Sequence, residues 1–265
     1  MRLRLFGPLD RPVPVIGQGT WQIADRGPRA ARAVAALRRG IALGLTHIDT
    51  AEMYGDGRAE SLVREAIAGL PRDKLFIVSK VLPSHADRRG THKACDASLR
   101  RLGVEYLDSY LLHWPSNFPI AETMGALEEL VDAGKICSLG VSNFDVGELQ
   151  AARAALRRHP LVCNQVLYHL RERSVEREVL PYCVRHHIAL VGYSPFGHDD
   201  FPSGASRQGR VLERVGNNHG VTARQAALAF LVRLDGTFTI PKSSDEAHVR
   251  QNAAAATLQL SPDDI

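Results

Sequence analysis

Leu75-Phe-Ile-Val-Ser-Lys80, then Arg89–Leu102 closed by Gly103, then Leu107-Asp-Ser-Tyr-Leu-Leu-His113, is the stretch on which the fold turns. The two apolar runs are short enough for buried strands, and the segment between them has helical spacing with a glycine stop. Strand, helix, strand in about 40 residues is the unit of a parallel sheet with helical cover. Both strands end in an ionisable side chain, Lys80 and His113.

The same unit recurs on either side. Upstream lie a strand at Gly17-Gln-Gly-Thr-Trp21, a helix at Ala30–Leu43, a strand at Ile48–Thr50 and a helix at Arg58–Ala68. Downstream, helices at Ala121–Ala133, Val146–Arg157 and Arg177–His187 alternate with strands at Ile136–Val141, Val162–Leu167 and Ile188–Gly192. Helices at Val211–His219 and Thr222–Arg233, a strand at Thr237–Ile240 and a helix at Asp245–Ala256 follow, with Ser244 or Asp245 as the last N-cap. Counted from Gly17 there are eight strands, each followed by helix, which predicts an α/β chain closed as a (β/α)8 TIM barrel. An open doubly wound sheet would carry Gly-x-Gly-x-x-Gly after its first strand, and Gly17-Gln-Gly-Thr-Trp-Gln22 lacks the third glycine. Residues 1–265 are expected to be one domain: a β-hairpin over 1–16, the barrel over 17–256, and a shortened tail over 257–265. In that tail Leu260-Ser-Pro-Asp-Asp-Ile265 reads as a helix start with Ser261 as cap.

Composition narrows the function. Hydrophobic residues are 45% and charged residues 23% of the chain, as in soluble globular proteins. No apolar run reaches the roughly 20 residues of a membrane span, and the N-terminus lacks the apolar core of a signal peptide, so a cytoplasmic location and no membrane partner are expected. The net charge of +4 is scattered over helical stretches rather than gathered in a basic run, which argues against nucleic acid as partner. The four cysteines form no Cys-x-x-Cys; Cys137 and Cys163, inside strand-like runs, are expected to be buried thiols. Nothing in a closed barrel forces assembly, so a monomer is expected.

Active groups of a barrel come from the C-terminal ends of its strands. That places Trp21, Asp49, Tyr54, Lys80, His113, Ser142, Asn143, Gln165, Tyr193 and Lys242 around one cavity. The key segment is Thr46-His-Ile-Asp-Thr-Ala-Glu-Met-Tyr54, a strand end and tight loop presenting a carboxylate and a phenol. A phenol titrates near about 10 and is a poor acid at neutral pH, unless an ammonium such as Lys80 lowers it. Each residue alone has a bland alternative as cap, loop lysine, structural histidine or packing. A metal site built on His47, Asp49, Glu52 and His113 lacks the usual ligand spacing, and none is expected.

Across residues 3–260 the sequence resembles the aldo-keto reductases. The motifs are Gly17-Gln-Gly-Thr-Trp21, Ile48-Asp-Thr-Ala-Glu-Met-Tyr54-Gly55, Val78-Ser-Lys80, Asp108–His113-Trp-Pro, Gly140-Val-Ser-Asn-Phe144, Asn164-Gln165, Tyr193-Ser-Pro and Ile240-Pro-Lys-Ser, in that order. The resemblance implies an NADPH-dependent reductase of aldehydes and ketones, with Asp49, Tyr54, Lys80 and His113 as the catalytic four and Tyr54 as general acid. It implies NADP(H) rather than NAD as cofactor: Ser142, Asn143 and Gln165 on the carboxamide, Tyr193 stacked on the nicotinamide, Ser194 and the Pro195–Gln208 loop over the pyrophosphate. Ile240, Lys242, Ser243 and Ser244 fall at the adenosine end, with the last three at the 2′-phosphate. There the sequence departs from the pattern, having His248 for an arginine and Gln251 for a glutamate, while Asn252 is kept; Arg250 would compensate only by turning inward. Trp21, Ile23 and Trp114 are expected to line an open, shallow mouth taking small or medium aldehydes, dicarbonyls included. A redox-sensing subunit with little turnover is the alternative.

Overall fold

The computed structural model describes residues 1–23, 26–198 and 200–265. A hairpin of β1 (Leu3–Leu5) and antiparallel β2 (Pro12–Pro14) precedes the repeating part. The strands are then β3 (Gln18–Gly19), β4 (His47–Asp49), β5 (Phe76–Val81), β6 (Ser109–Leu112), β7 (Leu139–Ser142), β8 (Leu161–Leu167), β9 (Ala189–Tyr193) and β10 (Thr237–Thr239). Between and after them run α1 (Pro28–Ala42), α2 (Arg58–Ile67), α3 (Arg88–Leu102), α4 (Ile120–Asp132), α5 (Val146–Ala155), α6 (Val179–Arg185), α7 (Arg207–Asn218), α8 (Ala223–Leu231) and α9 (Glu246–Ala255). The helices start and stop where side chains satisfy their ends: Asp87, Asp145, Ser206, Thr222 and Asp245 cap N-termini, and Gly103 ends α3 at φ 66°.

Strands β3 to β10 pair in chain order and all in parallel. The sheet closes on itself: Ile16 bridges Thr239 and Gly19 bridges Lys242, with Gly17 N–H donating to Thr239 O at 2.8 Å and Gly19 N–H to Pro241 O at 3.1 Å. A Cβ on Gly19 would stand 2.6 Å from Ile240 O, so the seam requires glycine there. The expected barrel is thus observed, its first strand shorter than the Gly17–Trp21 reading.

Alternation along each strand divides the interior in two. On β5, Phe76 and Val78 face the barrel axis, while Ile77 and Val81 join the layer under the helices with Leu62, Leu99 and Leu102. The hairpin plugs the N-terminal mouth: Phe6 is buried with its ring 4.7 Å from Phe76, 5.0 Å from Phe238 and 5.7 Å from His47. Burying such a ring is worth about 1.5–3 kcal/mol. Arg11 ties the hairpin to the buried Asp108 carboxylate, which also receives Arg72 at 2.7 Å and the Ile77 N–H at 2.7 Å. One mouth being sealed, the other holds the site.

One expectation is corrected. Cys137 is exposed, because β7 begins only at Leu139 and residue 137 lies in the turn that leads into it. Cys163 is buried as expected, with Cys95 and Cys183. At the other end Ser261 caps a short turn at Pro262–Asp264, its N–H and hydroxyl donating to Asp264 Oδ2 at 2.8 and 2.6 Å. No helix among the described residues is long and apolar enough to cross a membrane.

Candidate active site

Three neighbouring strands and one loop deliver the four ionisable groups. Asp49 ends β4, Lys80 points inward from β5, and His113 follows β6. Tyr54 arrives on a loop that turns sharply through Gly55, Asp56 and Gly57, all at positive φ (58°, 53° and 82°), a run that needs glycines. The Lys80 ammonium donates to Asp49 Oδ1 at 2.6 Å, to Thr50 O at 2.8 Å and to Tyr54 Oη at 3.4 Å. Gln165 Nε2 holds the other carboxylate oxygen of Asp49 at 2.7 Å. Tyr54 and His113 meet edge to face, 5.8 Å between ring centroids.

The electrostatics of this group are set by burial and by Lys80. Burial alone would lower the Lys80 pKa, but Asp49 and Tyr54 prevail and raise it, so the ammonium is kept. For Tyr54 burial raises the pKa, Lys80 pulls it back through charge and hydrogen bond, and Asp49 raises it again. The balance is upward. The sequence-based expectation of a net lowered phenol is therefore reversed in direction, since burial outweighs the pull of Lys80 and Asp49 adds to it. His113 is pushed down to about 2, first by burial and then by Lys80, so its imidazole is neutral at any working pH. Its Nδ1 is buried without a partner among the described residues.

These groups open into a cavity of about 260 Å³. Asp49, Tyr54, His113, Trp21, Trp114, Ser142, Asn143, Gln165, Tyr193 and Lys242 line it, as expected, together with Ser194, Pro195 and Ile240; Lys80, also expected there, is fully buried and does not. Trp114 stacks on His113 at 3.9 Å rather than merely on Pro115. Ile23 does not line it: the chain turns after Trp21, and Ile23 is buried in the layer under the helices. Sequence reasoning missed Gly19, Thr20, Met53 and His198. His198 reaches across from the loop after β9, its ring edge-on to Trp21 at 5.3 Å. Residue 199 of the Pro195–Gln208 loop lies outside the described residues.

A second cavity of about 400 Å³ is lined by Lys242, Ser243, Ser244, His248, Asp245, Arg29 and Arg32. Lys242 borders both cavities, which therefore adjoin between Tyr54 and the N-terminus of α9. Gln251 and Asn252 line neither, and Asn252 is buried in α9. Arg250 is turned outward, 3.5 Å from Glu246.

Comparison with known proteins matches this arrangement. A model of the Aldo/keto reductase family covers residues 15–265. The chain belongs to the aldo-keto reductase family. It is 43% identical over 252 residues to the methylglyoxal reductase YeaE of Escherichia coli, a match over 95% of this chain and 88% of that protein. It is 33% identical to a glyoxal reductase of Bacillus subtilis, over 96% of this chain and 87% of the other. An aldo-keto reductase of Klebsiella pneumoniae, crystallised with NADPH, superposes with a TM-score of 0.92 at 42% identity, over 99% of this chain and 93% of that one.

Polar side chains of β7, β8 and β9 are tied together along one wall of the cavity. Gln165 donates its amide N–H to Asp49, which leaves its carbonyl oxygen free to accept. Asn143 sits at φ 63° just past β7, where its amide donates to His113 O at 3.0 Å and Ser142 Oγ at 3.1 Å. Tyr193 Oη donates to Asn143 Oδ1 at 2.9 Å, holding the phenol ring at the cavity wall.

Proposed function

We propose that this aldo-keto reductase reduces small aldehydes and ketones to alcohols with NADPH, with Tyr54 as the proton donor. The observation that carries the reading is the chain Asp49–Lys80–Tyr54, closed by hydrogen bonds of 2.6 and 3.4 Å at the floor of the cavity. When bound, a reduced nicotinamide supplies the hydride to the carbonyl carbon. Gln165, Asn143 and Ser142 would orient its carboxamide, and Tyr193 would face the ring. As negative charge grows on the carbonyl oxygen, Tyr54 Oη gives up its proton to it. The transfer is downhill despite the raised phenol pKa, because an alkoxide is a far stronger base than a phenolate. The phenolate left behind faces the Lys80 ammonium, which Asp49 holds in place. His113, neutral and with Nδ1 unpartnered among the described residues, would donate from Nε2 to the substrate oxygen and align it.

The substrate is small. A cavity of about 260 Å³ lies below the roughly 300–1,000 Å³ of drug-sized sites and has to take the nicotinamide ring as well. Trp21, Trp114 and Met53 give it apolar walls, which suits short aldehydes and 1,2-dicarbonyls. The relatives named for methylglyoxal and glyoxal support the same class.

Turnover of methylglyoxal and a panel of short aldehydes, wild type beside Tyr54→Phe, tests this. The variant is expected to lose about 10²–10⁴-fold in kcat while NADPH binding is kept. A Tyr54→Phe enzyme within a few-fold of wild type would remove Tyr54 as the acid. Tight NADPH binding with no turnover in either protein would favour the sensing role.

A further inference from the structure

The plugged mouth of the barrel carries a cavity that the carbonyl chemistry does not use. It lies at the N-terminal ends of β8 and β9, whose far ends bring Gln165 and Tyr193 to the active site. The cavity measures about 400 Å³, within the roughly 300–1,000 Å³ of small-molecule sites. The N-terminal hairpin reaches it by a close approach at Gly7, whose φ is 61°: a Cβ there would stand 2.3 Å from Val162 O and 3.1 Å from His187 O. Pro8, the next residue, lines the cavity with Leu156, Pro160 and Leu161, and these four give it an apolar part.

The polar part is basic. Arg153, Arg157, Arg158, His159, His186 and His187 line it, and among the described residues no carboxylate does. Two of the six are already matched, Arg158 to Asp132 at 3.0 Å and His159 to the same carboxylate at 2.7 Å. Glu128 receives the backbone N–H groups of Arg157, Arg158 and His159 on one oxygen and the Arg158 guanidinium, at 3.9 Å, on the other, and forms no ion pair with Arg157. Arg153 Nη1 donates to Tyr182 Oη at 2.9 Å, which joins α5 to α6 and leaves the charge of the guanidinium unmatched. Helix C-termini favour cations, and that accounts for Arg153 in the last turn of α5 and Arg185 in the last turn of α6. It does not account for two such ends meeting round one cavity, where like charges repel. Burial, then Arg153, Arg185 and His187, all pushing the same way, hold the His186 pKa below its usual value. An anion between the two helix ends relieves that repulsion.

We propose that this cavity is a second small-molecule site, taking a phosphate monoester whose oxygens meet the Arg153 and Arg157 guanidiniums while its organic part lies against Pro8, Leu156 and Pro160. Guanidinium forks match phosphate oxygens in pairs. A monoester carries about −1.5 to −2 at neutral pH, which suits the two guanidiniums left over. His186 and His187 add donors from the end of α6, since an imidazole keeps at least one ring N–H in either protonation state. The site stands at the opposite mouth from Tyr54 and does not depend on the cofactor reading.

Titration of the whole protein with phenyl phosphate, inorganic phosphate and phenol at about pH 7.5, where the ester is doubly ionised, tests this by calorimetry and by the histidine ring resonances. Phenyl phosphate is expected to bind about tenfold or more tightly than inorganic phosphate, and phenol not to bind. The ring signals of His186 and His187 should move with phenyl phosphate while those of His248 stay. Arg157→Ala is expected to weaken phenyl phosphate by about three- to tenfold, and Arg153→Ala/Arg157→Ala by more than tenfold, as loss of charge-assisted pairs does. Arg157 is exposed, so the single variant should keep the wild-type melting temperature, and both variants should keep aldehyde turnover. Lys242→Ala, at the other mouth, should leave phenyl phosphate binding unchanged. Binding that survives the double variant, or that is lost in Lys242→Ala, would overturn the proposal. Inorganic phosphate binding as tightly as the phenyl ester would overturn its organic part and leave free phosphate as the ligand.

Discussion

Asp49 is the residue on which site and stability meet. Its two oxygens are held by Lys80 and Gln165, and it is 1% exposed. A carboxylate in that position tolerates the loss of its countercharge badly, since a buried ion left alone costs about 3–5 kcal/mol. Lys80→Met is therefore expected to lower unfolding free energy by about that amount, and adding Asp49→Asn to restore most of it without restoring turnover. Urea unfolding of the two variants checks this, and a Lys80→Met protein as stable as wild type would show the pair to be weakly coupled. Asp49, Lys80 and His113 were legible in the sequence because a strand end fixes where a side chain goes. Tyr54 was read onto a tight loop after that strand end, and Gly55, Asp56 and Gly57 beyond it are at positive φ. The direction of its pKa was not, because that depends on how far burial outweighs one ammonium.

At the scale of elements, the loop after β9 is the piece that the alternating pattern left undefined. Its glycines, prolines and serines read as turns, and what fastens it comes from a distant helix. Arg224 in α8 lies between the rings of Phe196 and Phe201, 4.7 and 4.5 Å from their centroids, and those rings meet edge-on at 5.7 Å. From that anchor His198 extends to Trp21 across the cavity. Each cation–π contact at an exposed site is worth about 0.5–1 kcal/mol. Arg224→Ala should thus speed NADPH release by about two- to tenfold with the melting temperature nearly unchanged, which stopped-flow fluorescence would read. An unaltered release rate would mean that the loop does not hold the cofactor. A contact between a helix and a loop distant in sequence explains Arg224. Periodicity marks such residues as a solvated helix face and says nothing of which helix packs alongside. Ile23 fails for a related reason, since one turn after Trp21 sends it inward.

For the whole molecule, the barrel's interior sets how it responds to acid. His47 lies wholly buried beneath Asp49, with the rings of Phe6, Phe76 and Phe238 around it and both nitrogens without a hydrogen-bond partner among the described residues. Burial, and then the field of Lys80, push its pKa down to about 3. With His113 at about 2, two histidines stay neutral in the folded protein at pH values where the unfolded chain, with histidines near 6.5, is protonated. The unfolded state then binds more protons, so stability is full above about pH 6.5 and declines as the pH falls toward 3. At pH 5 each histidine accounts for about 2 kcal/mol of loss, since one pKa unit is about 1.4 kcal/mol. His47→Leu, which leaves the active site in place, should roughly halve the slope of unfolding free energy between pH 6.5 and 5, whatever it does to the absolute value at pH 7. Urea unfolding across that range decides the matter. A variant with the wild-type slope would put the acid sensitivity in surface carboxylates rather than in the imidazole that the N-terminal hairpin seals into the barrel.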